Sequence, residues 1–204
     1  MDLSNKNVIH VKKNGIEYLQ FRKLLEYSEI ITHAYSLGID MNFRTAKTNK
    51  EKLPEDQLEK ALNNYERLGN SIGIELKHIA KPNQKHTDNV QIVNKKILAD
   101  EPDFNLEKYN QTDGLITHKP GIALGSTNAD CILIYIFDPI KRVIANIHSG
   151  WRGTFQKIGE KAVKKMINEY DCNPQDLIVC MCPSIRKCHF EVGEEVATEC
   201  KDIF

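Results

Sequence analysis

The sequence predicts an α/β (α+β) fold, a single domain in which helices flank a mixed β-sheet. Three observations predict it. Apolar runs of strand length are interleaved with two stretches of helical period. The two longest runs, in "CILIYIFDPIKRVIANIH", are joined by Asp138-Pro139-Ile140-Lys141, a tight-turn sequence, so that pair is an antiparallel hairpin. The 204 residues are 41% hydrophobic and 27% charged, an ordinary globular composition of a size for one domain, residues 1–204.

Taken in order, "EYLQF" and "EIITHAYS" are strand-forming, and Gly38 marks a turn between Tyr35 and Asn42. In "TNKEKLPEDQLEKALNNYERLGNSIG" the period becomes helical. Leu58, Ala61, Leu62, Tyr65 and Leu68 share one face, Pro54 suits the first turn and Gly69 the stop. "LKHIAKPNQKHTDNVQIVN" and "DGLITHKPGIALGSTNADC" are strand and loop. After the hairpin, "TFQKIGEKAVKKMINEY" reads as a second helix from Thr154, with Phe155, Ile158, Ala162, Val163, Met166 and Tyr170 at helical spacing. "DLIVCMCPSI" reads as a buried strand.

Lysine plus arginine and aspartate plus glutamate number 28 each, a balance that argues against a nucleic-acid partner. No segment has the roughly 20 apolar residues of a membrane helix, and the polar N-terminus lacks a signal-peptide core. The chain therefore reads as cytoplasmic, with no membrane partner, and its six cysteines as thiols, metal ligands or core residues.

The hairpin carries the chemistry. If Asp138 pairs with Lys141, Cys131 falls opposite His148, and opposed residues project from one face with Cβ atoms about 4.5–5.5 Å apart. A thiol and an imidazole so placed suit one zinc, with Zn–S about 2.3 Å and Zn–N about 2.0–2.1 Å. "SGWRGT" follows at once. Gly150 and Gly153 let backbone amides approach a ligand, Arg152 offers a bidentate grip on phosphate or carboxylate, and a helix start at Thr154 favours an anion. The same residues also suit a plain strand-to-helix turn with Trp151 in the core. A tetrahedral ion needs further ligands, and His86, His118 and His78 all remain candidates at this level. The cysteines at 172, 180, 182 and 188 with His189 lack paired CxxC spacing and read as core rather than a second metal site. Laccase chemistry is rejected, because clustered HxH pairs do not occur.

"ADCILIYIFD", "IANIHSGWRGT" and "PSIRKCHFEVGEEV" resemble the motifs of the purine nucleoside phosphorylase family formerly called laccase-domain or polyphenol oxidase proteins. "QKHTDNV" is similar to its upstream QVHG motif at Gln84 and His86, "TDGLITHKPGIAL" to the stretch before ADC, and "MNF" near residue 42 to an early strand containing an asparagine. The resemblance runs from about Ile31 to the last residue.

It implies a zinc held by His86, Cys131 and His148, with a fourth position left open, as in catalytic sites. It also implies phosphorolysis of adenosine, inosine, guanosine and methylthioadenosine with phosphate as co-substrate, and adenosine deamination. The implied fold is similar to that of the cytotoxic-factor-like cysteine hydrolases. On this reading the metal activates water against the purine C6. Arg152 and the helix start place phosphate against the ribose C1′. Asp130 orients a ligand, and Asn42 contacts phosphate or ribose.

The sequence departs from the family pattern at several places. Thr87 stands where glycine usually follows the first histidine, HAGWRG reads HSGWRG, and His189 and Phe190 replace a cysteine and a tyrosine. Arg186 and Lys187 replace a glycine and an uncharged residue. Family members continue well past GEEV, so 1–204 reads as a catalytic domain lacking the usual C-terminal segment. The rival readings are a cysteine hydrolase or deamidase with Cys131 as nucleophile and His148 as base, and an inactive purine-binding protein.

Overall fold

The computed structural model describes residues 2–38, 41–44, 54–94 and 109–203. They fall into two compact units, the first built mainly from the chain up to Ala80 and the second mainly from the chain beyond it.

In the first unit, β1 (Val8–Lys13) and β2 (Ile16–Phe21) form a hairpin. Its turn is Asn14-Gly15, both at positive φ (53° and 71°), the backbone that two-residue hairpin loops require. A short helix, α1 (Arg22–Leu25), follows, and β3 (Tyr35–Leu37) pairs with β2, so only the end of "EIITHAYS" is strand. The helix α2 (Glu55–Ile72) buries Ala61 and Tyr65 as its period predicts. It runs through Gly69 and stops at Gly73, which takes the left-handed conformation (φ 77°). Gly69 instead makes room for the chain that folds back over the helix end, since a Cβ there would lie 2.3 Å from the Ile74 carbonyl oxygen. Asn42 belongs to this unit. Its side-chain oxygen accepts the Arg44 amide at 2.9 Å, and its carbonyl accepts Asn64 Nδ2 at 3.0 Å. The strand β4 (Ile79–Ala80) ends the unit's first stretch of chain.

The second unit holds β5 (Val90–Ile92), β6 (Gly114–Thr117), β8 (Ile132–Asp138), β9 (Val143–Ser149) and β10 (Ile178–Met181). The two-residue strand β7 (Ala123–Leu124) comes between β6 and β8 along the chain. The five strands of the unit make one sheet in the order β10-β8-β9-β6-β5. β5 and β6 are parallel and the other pairs antiparallel, the mixed sheet that the sequence predicts.

The hairpin register differs from the expected one by two residues. Asp138 pairs with Val143, not Lys141, and Leu133 pairs with His148. The turn is longer because Arg142 enters the left-handed region (φ 55°), while Asp138 Oδ1 accepts the amides of Ile140 and Lys141 at 2.9 and 2.8 Å. A shift of two keeps every side chain on its expected face, where a shift of one would reverse them all.

The expected helix from Thr154 to Tyr170 is two helices, α3 (Trp151–Phe155) and α4 (Ile158–Tyr170), broken at Lys157 with φ 59°. Ile158, Ala162 and Met166 of α4 pack on Ile116, Ile136, Val143, Ala145 and Ile147, all buried. Each of the larger of these side chains contributes about 1.5–3 kcal/mol on leaving water. Opposed residues share a face, so Leu133 and His148 project from the side of the sheet away from α4. β10 is an edge strand rather than a buried one. Cys180 is buried, but Val179 and Met181 are 53% and 60% exposed. A final helix, α5 (Glu194–Ile203), follows. No helix among the described residues is long and apolar enough to cross a membrane.

Candidate metal centre

Three segments of the second unit converge at one end of the sheet. His86 lies in the loop before β5, Cys131 immediately precedes β8, and His148 is on β9. Their ligand atoms all lie within 4.8 Å of one another, the one group of three or more such residues among those described. Cys131 is not directly opposite His148, because Leu133 is. It reaches His148 as a diagonal neighbour on the same face, since two residues along a strand return to that face.

Asp113, just before β6, is fully buried beneath the group. Its Oδ1 accepts His148 Nδ1 at 2.8 Å and the His86 amide at 3.0 Å. Its Oδ2 accepts the amides of Lys85 and Thr87 at 3.1 and 2.8 Å and the Thr87 hydroxyl at 2.8 Å. Three consecutive amides can close on one carboxylate because His86 takes the left-handed conformation, φ 60°. A carboxylate only accepts, so His148 Nδ1 carries a proton and Nε2 is left as the ligand atom. Thr87 thus adds both its amide and its hydroxyl to the same carboxylate.

Charge follows this geometry. Burial works against the Asp113 anion, but the bonds from His148, Thr87 and Lys85 hold its pKa below the usual value. Burial also opposes a charged His148, yet the bonds to Asp113 and Cys131 outweigh it and raise its pKa to about 9. His86 is lowered by burial, then by the charges of His148 and Arg152, against the pull of Asp113.

Gly150 gives the group its room. A Cβ at this position would stand 2.6 Å from His86 Cδ2 and 3.4 Å from Cys131 Sγ. Gly153 packs likewise under the His86 loop, where a Cβ would lie 3.1 Å from the Thr87 carbonyl oxygen. The two glycines thus make space for the ligands and their loop.

The other expected residues fall as follows. Asp130 is exposed, and its carbonyl accepts the Ile185 amide at 3.0 Å; the carboxylate bonded to the His148 ring is that of Asp113. Arg152 is exposed on α3 with its guanidinium carbon 4.1 Å above the Trp151 ring. The expected anion site at a helix start on Thr154 does not form, because the Thr154 amide donates to the Gly150 carbonyl at 2.8 Å inside α3. His118 packs against Tyr170 with ring centroids 4.9 Å apart, and His78 and Asn42 belong to the first unit. Cys188 Sγ lies 3.0 Å from His189 Nδ1, whereas Cys172, Cys180 and Cys182 are buried.

One thiolate and two imidazoles on three separate segments are the ordinary protein donors of a tetrahedral zinc, and three of them leave one position open. Bonds of that length put ligand atoms about 3.3–3.8 Å apart, so a small closing movement from the observed spacing suffices. The donor set fits the ion.

Residues 40–204 match the sequence profile of a family described as "Multi-copper polyphenol oxidoreductase laccase". The chain is 33% identical over 141 residues to a Bacteroides thetaiotaomicron protein named "Purine nucleoside phosphorylase", a match covering 69% of this chain and 52% of that one. It is 34% identical over 134 residues to the Mus musculus protein "Purine nucleoside phosphorylase LACC1", covering 66% and 29%. It is 31% identical over 129 residues to "Adenosine deaminase RL5" from an unknown prokaryotic organism, covering 63% and 49%. The chain thus spans about half, or less, of these relatives' lengths. Among solved structures, YlmD from Geobacillus stearothermophilus superimposes with TM-score 0.62 at 26% identity, covering 71% of this chain and 53% of that one. YfiH from Bacillus licheniformis shares the fold with TM-score 0.67 at 21% identity, covering 98% and 71%. With most of its length inside the matched profile, the chain belongs to the family of multi-copper polyphenol oxidoreductase laccases.

Proposed function

We propose that this chain carries the centre of a zinc-dependent purine nucleoside phosphorylase that also deaminates adenosine, acting on adenosine, inosine, guanosine and methylthioadenosine. The observation that carries this reading is the His86, Cys131 and His148 triangle closed over buried Asp113. Relatives named purine nucleoside phosphorylase and adenosine deaminase supply the reaction classes. Six free cysteines suit a reducing compartment such as the cytoplasm.

Zinc bound in the triangle would supply Lewis acidity at one open coordination position. The chain's own residues do the rest. Asp113 holds the Nδ1 proton of His148 and so keeps Nε2 turned to the centre. Arg152, exposed over the Trp151 ring, would pair with phosphate and hold it for attack. In phosphorolysis the C1′–N9 bond breaks, a phosphate oxygen bonds to C1′, and the purine leaves with a proton. In deamination water adds at C6 and ammonia leaves. Asp130, exposed and next to Cys131 in the chain, is the acidic group to which this reading assigns proton exchange with leaving group or water.

One observation favours a second reading. Cys131, His148 and Asp113 form a hydrogen-bonded thiol, imidazole and carboxylate series, the order of a cysteine hydrolase triad. His86 within reach of both ligands favours the metal. The test is to purify the protein without added metal, measure bound zinc, and assay adenosine with and without phosphate. Adenine formed only with phosphate, and inosine without it, is the expected result. A folded, zinc-loaded sample forming neither product overturns the enzyme reading, and a His148→Ala variant that keeps both zinc and turnover overturns the site.

A further inference from the structure

The three ligands form a triangle, and each side has its own fastener. The Cys131–His148 side is set by the β8–β9 ladder, in which the residue after Cys131, Ile132, pairs with Ser149, the residue after His148. The His86–His148 side is set by Asp113, bonded to the His86 amide and to the His148 ring. The third side, His86 to Cys131, joins two loops rather than two strands. Across it the Gln84 side-chain amide lies against the Thr127 peptide. Gln84 Nε2 donates to the Thr127 carbonyl at 2.7 Å, and Gln84 Oε1 accepts the Thr127 amide at 2.9 Å.

Two bonds from one planar amide to one residue's N–H and C=O copy a β-bridge, fixing orientation as well as distance. Gln84 is half-buried, which shields both bonds from water. Beyond Thr127 the loop is braced by Asn128, whose Nδ2 donates to the Cys131 carbonyl at 2.6 Å. Force therefore passes from the His86 loop through Gln84 to Thr127, Asn128 and Cys131 by short, directional contacts. Asp113 makes none of these.

We propose that Gln84 is a positioning residue of the metal centre: its clasp on the Thr127 peptide sets the spacing of His86 and Cys131, and with it the affinity for the ion. The inference rests on the zinc reading above. It assigns to Gln84 an effect on metal binding through Cys131 that a general loss of stability would not produce.

The test uses the full chain and two metals. Zinc affinity is measured by competition with a chromophoric chelator, and cobalt loading by the thiolate-to-metal charge-transfer band, which reports Cys131 bonding directly. Gln84→Ala is expected to weaken zinc binding about tenfold to a hundredfold and to lower that band at saturating cobalt. The circular dichroism of the metal-free protein should stay unchanged. Gln84→Glu keeps the stem and the acceptor for the Thr127 amide but sets an oxygen against the Thr127 carbonyl. It should weaken binding as well, and it carries the test if the alanine variant does not fold. Thr127→Ala removes only the longer bond from the Thr127 hydroxyl to Gln84 Oε1, at 3.4 Å, leaves both peptide bonds of the clasp in place and should bind like the parent chain. Folded Gln84 variants with zinc affinity within twofold of the parent and a full cobalt band overturn the proposal. Failure of the parent chain itself to bind either metal removes the zinc reading and this proposal together, an outcome separate from the first.

Discussion

The two ends of the β8–β9 hairpin use the same ladder for opposite purposes. The open end carries Cys131, His148 and Gly150 and meets Asp113, which is fully buried and accepts five hydrogen bonds. The closed end carries Asp138, 1% exposed, whose Oδ1 accepts two amides of its own turn. Beside it lies the buried Cys172 thiol, whose pKa is pushed up to about 12 by burial and then by the Asp138 carboxylate. Both ends bury an aspartate. At the closed end the acid's amide bonds tie its own turn and its carboxylate faces one thiol, Cys172, while at the open end the acid ties together several segments far apart in sequence. Substitutions at the open end should therefore register in metal binding, and those at the closed end in stability.

Gly150→Ala should show the largest effect. Its Cβ must displace the His86 ring, and zinc affinity by chelator competition should fall more than about a hundredfold, beyond the usual range for residues that only support ligands. Asp113→Asn comes next. Turning a buried acceptor of five donors into an amide should cost about 3 kcal/mol in denaturant unfolding. Zinc affinity should drop about tenfold to a hundredfold alongside. Asp138→Ala should cost about 1–2 kcal/mol while zinc affinity stays within twofold; a large loss of zinc binding would erase the contrast between the ends.

The smallest effect concerns alkaline pH. The folded pKa of Cys172 lies above its ordinary value of 9.0, so its contribution is complete below that value and is lost as pH rises toward about 12. Cys182 behaves alike, also pushed up to about 12 by burial. In the metal-free protein the thermal midpoint should fall above about pH 9, and Cys172→Ala should flatten that fall.

Much of this was legible in the sequence because apolar period and turn residues report burial locally. The mixed sheet, the α2 and α4 faces and the side of the sheet that holds Cys131 and His148 all follow from that pattern. What escaped depends on backbone that side-chain identity does not announce. Arg142 and Lys157 enter the left-handed region, lengthening one turn and breaking one helix, though neither is a residue type that favours it. The Asn14-Gly15 hairpin did carry a readable signal, the dipeptide itself. Asp113 also had one: an aspartate before glycine at the head of a fully buried strand needs partners. Which partners it takes depends on contacts distant in sequence, and those became visible only in three dimensions.

The left-handed backbone at His86 sets two selective pressures against each other. Glycine there would relieve a steric penalty of about 1 kcal/mol, while deleting a candidate metal ligand. Engineering that rewarded thermal endurance alone would drift toward that exchange and yield a hardier protein without the chemistry proposed for it.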